Sequence, residues 1–151
     1  MITILSRLRR ARGGASALEF ALLALPLAAM LLSVLEFGRL QWTRNALQQV
    51  AIAGARCVGL ALTDCSSPGA TATDPRVYDA TKSRTFITGN ASSWIIDLGN
   101  SDIAVSTSAT CQTLANFTEV TLTDDFSSPF LAAAGLDAMT LSATACFPNQ
   151  S

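Results

Sequence analysis

An unbroken apolar segment dominates the hydrophobic pattern of the chain. Residues 20–35 carry no charge, and only Pro26 and Ser33 interrupt them. Counted from Ala17, the segment would rise about 28 Å as a helix, close to the ~30 Å hydrocarbon core of a bilayer. Membrane helices tolerate a proline, although it removes one helical hydrogen bond. The pattern therefore predicts a transmembrane helix over about residues 17–38.

Charged and aromatic residues reappear where this segment ends. Glu36 and Arg39 are its first charged residues on the C-terminal side, and Trp42 follows shortly after. Tryptophan is enriched where membrane helices meet the headgroups, because its ring is amphipathic. These three residues are predicted to mark the exit from the membrane.

The helical pattern continues well beyond the membrane exit. Apolar positions recur at steps of three, four and seven. They are Leu40, Leu47, Val50, Gly54 and Cys57. Together with the apolar segment they predict one helix over residues 15–60. Alanines at 46, 51, 53 and 55 keep it slim, so a helix of another subunit could approach closely, but a core helix of the C-terminal domain explains the same face.

The remaining residues, 61–151, predict a small α+β head. Asp74-Pro75 is typical of a helix start, and we expect that helix to run to about Phe86 or Ile87. Alternating polar and apolar residues then predict three short antiparallel strands near residues 103–107, 120–123 and 139–144. Residues 129–136 are expected to form one helical turn or a loop. The fold class is thus α+β, a long N-terminal helix followed by a head of a few strands and a short helix.

The charges are distributed unevenly along the chain. Before Ala15 there are four arginines and no acid, whereas after Cys57 there are three basic and nine acidic residues. Because Lys and Arg are retained on the cytoplasmic side, the N-terminus is predicted to be cytoplasmic and the head extracytoplasmic. The basic segment is too short and too close to the apolar run for a nucleic-acid arm, so no nucleic-acid partner is expected.

All four cysteines lie on the C-terminal side of the apolar segment. An even number in an exported domain indicates two disulfides, for which three connectivities are possible. Cys57–Cys65 and Cys111–Cys146 are favoured, because the first closes a short loop and the second could join two strands. Free buried cysteines are the alternative. Zinc is disfavoured, since the chain has no histidine and no paired C-x-x-C spacing.

Residues that would carry catalysis are missing from the sequence. Without histidine the usual general base and Ser-His arrangements are excluded, and no nucleotide-binding glycine loop occurs. The adjacent Asp124 and Asp125 could bind calcium, but such a pair is more often a solvated turn. We therefore expect no enzyme activity, cofactor, metal or small-molecule substrate.

Glu19 is an unusual residue at the start of an apolar helix, and three interpretations compete. A secretory signal peptide cut near residues 25–29 would contain this charge in its apolar core. An uncleaved anchor has no use for it. A cut after Gly14 would instead make Ala15 a free N-terminus, whose amine Glu19 could pair with. Glu19 could also merely extend to the cytoplasmic headgroups.

The third arrangement resembles the type IV prepilins, and in detail the TadE-like proteins of Tad (tight adherence) pili. The similarity rests on these strings: Arg12-Gly13-Gly14, Ala15-Ser16-Ala17-Leu18-Glu19-Phe20, Leu25-Pro26-Leu27, Glu36-Phe37-Gly38-Arg39, Ala46-Leu47, Gly54-Ala55-Arg56-Cys57 and the ending Ala145-Cys146-Phe147-Pro148. It covers about the first 60 residues strongly and the remainder by cysteine placement and ending.

This resemblance implies a minor pseudopilin of a bacterial Tad/Flp-type pilus, used in adhesion and biofilms. It implies a leader of residues 1–14, cleavage between Gly14 and Ala15 by a prepilin peptidase, and subunit register set by Glu19 and Phe20. The implied location is the inner membrane, as a single-pass protein that could also enter the fibre. The implied partners are the peptidase, other pilins or pseudopilins and the assembly platform. The alternative is a single-span periplasmic binding or scaffold protein unrelated to pili.

Overall fold

The computed structural model describes residues 14–71, 75–128, 132, 135 and 138–150. The chain divides into two compact units, Met1–Gly38 and Arg39–Ser151. Helix α1 spans Gly14–Gly59, β1 Ser66–Ser67, β2 Val77–Tyr78 and α2 Ala80–Ser93. A short 3-10 turn, Asn100–Asp102, precedes β3 (Ile103–Cys111), β4 (Leu114–Phe126) and β5 (Met139–Pro148). The α+β class predicted from the sequence is confirmed.

Helix α1 is 46 residues long and contains Pro26. Proline lacks an N–H and so cannot donate the hydrogen bond of its turn. Two hydroxyl side chains bond back into the helix, Ser33 Oγ to the Ala29 carbonyl at 2.8 Å and Thr43 Oγ1 to the Arg39 carbonyl at 3.1 Å. Such bonds satisfy a polar side chain inside an apolar helix without a partner from elsewhere.

The three longer strands form one antiparallel sheet in the order β3–β4–β5. Leu122 on the central strand lies opposite Ile103 on one side and Ala143 on the other. All three predicted strands exist, and each is longer than its pattern indicated. A two-residue turn joins β3 to β4, and both of its residues, Gln112 and Thr113, have positive φ. Positive φ at both turn residues gives a backbone twist that matches the twist of the flanking strands, as in most two-residue hairpins. Glycine or asparagine is usual at such positions, and neither occurs here.

The core of the head lies between one face of the sheet, helix α2 and the last turns of α1. Its buried members include Leu47, Val50, Ile87, Val120 and Leu122. At Gly54 an added Cβ would lie 3.0 Å from Ile87, so the missing side chain lets the α2 residue approach α1 closely. The predicted apolar face of α1 is therefore used within the chain, and the buried alanines 46, 51 and 55 belong to the same core.

Helix α2 begins later than the sequence indicated. Asp74 lies outside the described residues, Pro75 and Arg76 are not helical, and Val77–Tyr78 pairs with Ser66–Ser67 as β2 with β1. The N-cap is Asp79, whose carboxylate accepts hydrogen bonds from the backbone N–H groups of Thr81 and Lys82. The prediction of a start at Asp74-Pro75 was wrong for Pro75, because pairing with β1 holds the following segment extended.

Helix α2 also ends later than predicted, at Ser93 instead of Phe86 or Ile87. Ile87 and Ala91 are both fully buried and lie one turn apart. Because these two residues are buried, the helix continues through Gly89-Asn90, beyond its predicted end. The segment 129–136 lies outside the described residues except for Ala132 and Gly135.

Residues 147–150 contact Gly59, the last residue of α1, and strands β3 and β4. Gln150 donates its backbone N–H to the Gly59 carbonyl at 3.1 Å, and a Cβ on Gly59 would lie 2.8 Å from the Phe147 ring. Asn149 accepts from Thr118 Oγ1 at 2.6 Å and donates to the Thr107 carbonyl at 2.7 Å. The glycine at position 59 therefore makes room for the C-terminal strand.

Candidate functional site

Residues 18–37 of α1, here called its lower part, carry exposed apolar side chains. Each large apolar residue from Leu18 to Phe37 is between 52% and 74% exposed. Among the described residues, Ser16–Gly59 is the one helix long and apolar enough to cross a membrane. Exposed apolar surface of this extent is typical of a membrane contact or of an interface with other apolar helices. The helix is thus consistent with a single-pass membrane anchor.

The predicted cleavage junction lies at the first described residues of α1. Glu19 and Phe20, about one turn further along, are exposed. Residues 15 and 19 are four apart, which places them on the same face of a helix. Residues 1–13, with the predicted arginine-rich leader, lie outside the described residues.

Two residues at the predicted membrane exit contact the head. The Arg39 guanidinium lies 5.6 Å from the centre of the Phe126 ring, within the range of a cation–π contact. The Trp42 ring lies 5.7 Å from that of Trp94, with the planes inclined at 56°. Glu36 is half-buried. The structure therefore gives Arg39 and Trp42 aromatic partners in the head.

Phe126 and Trp94 were not predicted as part of this region. Phe126 ends β4, and Trp94 follows the last residue of α2. A signal for Trp94 was present, because Trp94-Ile95-Ile96 is an apolar run placed between Ser92-Ser93 and Asp97. No local pattern pointed to Phe126, whose contact with Arg39 depends on how the sheet packs.

The structure contains the two disulfides favoured from the sequence. Cys57 is bonded to Cys65, with Cα atoms 5.9 Å apart, and Cys111 is bonded to Cys146, with Cα atoms 6.5 Å apart. The first joins the end of α1 to the loop that follows it. The second joins β3 to β5, the two edge strands of the sheet. Both lie in the part of the chain predicted to be exported.

Hydrogen bonds around the first disulfide hold its loop against α2. The Cys65 carbonyl accepts from the backbone N–H of Asp79 at 3.1 Å and from Ser83 Oγ at 3.0 Å. The hydrogen bond from the Ser67 hydroxyl, and after it the one from the Lys82 backbone N–H, lowers the pKa of Asp79 below its usual value. The Asp79 carboxylate therefore accepts hydrogen bonds both from the first turn of α2 and from Ser67 in this loop.

Asp124 and Asp125 lie in strand β4, where they pair with Leu141 and Thr140 of β5. The interpretation of this pair as a turn was therefore wrong, since sheet register holds it extended. Burial, followed by the charges of Asp102 and Asp125, raises the pKa of Asp124. The Asp125 carboxylate accepts a hydrogen bond from Thr140 Oγ1 at 2.7 Å.

One group of potential metal ligands occurs in the described part of the chain, formed by Cys111, Glu119 and Cys146. The two sulfurs are bonded to each other. A disulfide sulfur is not the thiolate that binds zinc or iron, so this group is a disulfide beside a carboxylate.

Comparison with known protein families adds a finding for α1. Residues 14–56 match the model of the TadE-like protein family. The match begins at Gly14 and ends one residue before Cys57. It confirms the family resemblance of the helical segment, which is less than a third of the chain, and indicates a component associated with Tad pili. Members of this family are generally structural and not enzymatic. No curated protein and no solved structure matches the chain.

Proposed function

We propose that this protein is a minor pseudopilin of a bacterial Tad/Flp-type pilus, which serves in adhesion and biofilm formation. A prepilin peptidase removes residues 1–14. The mature protein, anchored through about residues 17–38, carries an extracytoplasmic head from residue 61 onwards. It acts structurally, together with other pilins or pseudopilins and the inner-membrane assembly platform.

The observation that carries this proposal is the position at which the family match begins. The match starts at Gly14, the residue immediately before the predicted mature N-terminus at Ala15. Glycine has no side chain, so a membrane peptidase can bring the backbone close to its catalytic groups. The arginines before it hold this junction at the cytoplasmic face, where such a peptidase acts.

Cleavage at this position supplies a partner for Glu19. A carboxylate inside the hydrocarbon is costly when isolated, and pairing with an amine offsets part of that cost. The new amine of Ala15 lies one turn before Glu19 on the same face. An amine of a neighbouring subunit satisfies the same charge, and in doing so it sets the axial register between subunits. Phe20, which is 73% exposed, supplies apolar contact at the same level.

The head has features suited to the extracytoplasmic side. Its two disulfides require an oxidising compartment. Its charge is acidic, in contrast to the arginine-rich N-terminus. With this topology the apolar helix is available for transfer from the membrane into an assembly, while the head stays folded outside the bilayer.

The proposal is tested by mapping the mature N-terminus of the membrane-extracted protein, co-produced with its prepilin peptidase. N-terminal sequencing and intact mass should both give a chain that starts at Ala15. Gly14→Leu should insert into the membrane but remain unprocessed, because the bulky side chain keeps the scissile bond from the peptidase.

Gly38→Leu is the matched control, since it makes the same change in α1 at a position where an added Cβ meets no atom within 4 Å. This variant should be processed normally. An intact Met1 in the wild-type protein, a start near Met30, or normal processing of Gly14→Leu would each contradict the proposal.

A further inference from the structure

Ile95 is the most exposed large apolar residue described, at 95%. It also has a left-handed backbone, with φ of +63°. Branched side chains disfavour this conformation, because their Cβ substituents crowd the backbone. Ile95 thus combines two unfavourable features, backbone strain and exposure to water.

The strain arises from the way α2 ends. The Ile96 N–H donates to the Ala91 carbonyl at 3.1 Å, and the Ile95 N–H donates to the Ser92 carbonyl at 3.0 Å. These two bonds make a Schellman motif, in which the residue at the position of Ile95 is left-handed and is usually glycine or asparagine. Ile96 and Ala91 are buried together, as this motif favours. The backbone therefore turns Ile96 inward and leaves Ile95 pointing outward.

Glycine or asparagine at position 95 would relieve both costs without changing the helix end. A strained, exposed residue indicates a function that the fold alone does not require. Its neighbour Trp94 is also exposed and contacts Trp42. We call Trp42, Trp94 and Ile95 the aromatic tip.

The position of Trp42 in the sequence favours the lipid headgroup layer as the surroundings of the aromatic tip. Trp42 follows Phe37, the last exposed apolar residue of the predicted span, by five residues, or about 7.5 Å of helical rise. The headgroup layer extends roughly 5–8 Å beyond the hydrocarbon on each side. Trp42 also lies seven residues after Leu35, and this spacing places the two on the same face of a helix.

We propose that the aromatic tip is a second membrane contact, through which the head inserts Trp94 and Ile95 into the headgroup–acyl boundary of the bilayer that α1 spans. The inference rests on the proposed membrane anchoring. Tryptophan suits this boundary, because its ring is apolar and its N–H can bond to headgroups. Isoleucine supplies apolar surface that lipid covers.

This contact gives the head a preferred orientation on the membrane. A single helix leaves a head free to rotate about the helix axis, whereas a second point of attachment restricts that rotation. Transfer of α1 out of the bilayer must also withdraw the aromatic tip. The tip therefore favours the membrane-resident state over the assembled state.

The two tryptophans of the chain make the test specific. Full-length Trp42→Phe retains Trp94 as its sole tryptophan, and it is placed as one copy per phosphatidylcholine nanodisc. Zwitterionic lipid is used because Asp97, two residues from Ile95, is repelled by anionic headgroups. With lipids brominated near the carbonyl end of the acyl chains, Trp94 emission should fall by about half.

Adding Ile95→Asn to this variant should reduce that quenching, because the tip loses its apolar contact with the acyl chains. The melting temperature of the head should not fall, since asparagine accepts the left-handed backbone. Leu114→Asn, at another exposed apolar position, is the matched control and should leave the quenching unchanged.

Each outcome decides the question. Quenching of Trp94 that Ile95→Asn diminishes and Leu114→Asn does not supports the contact. If Trp42 in the Trp94→Phe protein is quenched but Trp94 is not, the anchoring stands and the second contact is overturned. If Trp94 emission changes only when several copies share a disc and not with one copy per disc, the second contact is overturned and the tip is assigned to subunit contact. Failure of the protein to enter discs overturns both the anchoring and the contact.

Discussion

The two parts of helix α1 have the same backbone but different surroundings. Leu31, in the lower part, is 59% exposed, whereas Leu47, in the upper part, is fully buried. Apolar side chains occupy every face of the lower part, as expected for a helix in an apolar environment. The upper part keeps Arg44, Asn45 and Gln48 away from the core and turns one stripe inward.

Because of this difference, we expect substitutions in the lower part to affect assembly and substitutions in the upper part to affect the stability of the head. The apolar side chains of the lower part are exposed, so changes there should act on insertion and on contacts with other molecules. Side chains of the upper part complete the core, so changes there should act on the folding of the head. The following predictions test this separation.

The largest effect is expected for Glu19→Val. The variant should insert and fold normally but should abolish most piliation, because no carboxylate remains to pair with the amine of Ala15. Pili are counted by electron microscopy, and head folding is followed by near-UV circular dichroism. Leu23→Val, one turn further along, is the control and should leave piliation intact. If Glu19→Val forms pili at the wild-type level, the pairing is contradicted. Glu19 would then only extend to the cytoplasmic headgroups.

Leu47→Ala and Leu31→Ala form a matched pair on one helix. Leu47→Ala should reduce the free energy of unfolding of the head by about 2–5 kcal/mol, because it leaves a cavity in the core. Leu31→Ala should change it by less than about 0.5 kcal/mol, as is usual for exposed sites. Denaturant unfolding of the full chain in detergent measures both. Equal losses would show that the lower part also supports the head.

Removal of either disulfide should affect the head and not the membrane-spanning part. Replacing Cys57 and Cys65 by alanine, or Cys111 and Cys146 by serine, should lower the stability of the head by about 2–4 kcal/mol for each pair. Flotation of the protein with membranes should not change, since the span holds no cysteine. Peptide mapping without reduction checks the two pairings directly. A mapped Cys57–Cys111 or Cys57–Cys146 bond would contradict them.

The smallest effect is expected at Asp124. Its pKa is raised above the ordinary value of 3.8, so between 3.8 and the raised value the folded state holds more protons than the unfolded state. Stability therefore falls as pH rises through this window and stays lower above it. Asp124→Asn should be more stable than wild type at pH 7, by less than about 1 kcal/mol because solvent screens this partly exposed site.

The gain from Asp124→Asn should shrink as pH falls towards the ordinary pKa of 3.8 and should be absent at about pH 2, where the carboxyl is protonated in both the folded and the unfolded state. Thermal unfolding at about pH 2 and about pH 7 supplies the comparison. A loss of stability at pH 7 would mean that the charge of Asp124 is favourable in the fold.

Prediction from the sequence succeeded for elements whose formation depends on a local pattern of side chains. The long helix, its apolar face and the three strands were predicted because periodicity reflects which side chains are buried. The start of α2 was missed, since Asp79 caps the helix only once β1 and β2 have paired. The place of Asp124 and Asp125 was missed for the same kind of reason, because their register with β5 is a long-range property.

The sequence by itself determined that this chain has an apolar helix preceded by arginines and followed by four cysteines. These features depend only on composition and spacing, which can be read without knowledge of tertiary contacts. Only the tertiary structure decided that Trp42 contacts Trp94, that Arg39 contacts Phe126 and that Ile95 is turned outward. Those contacts join residues more than fifty positions apart or depend on a helix end that packing selects, so no local pattern contains them.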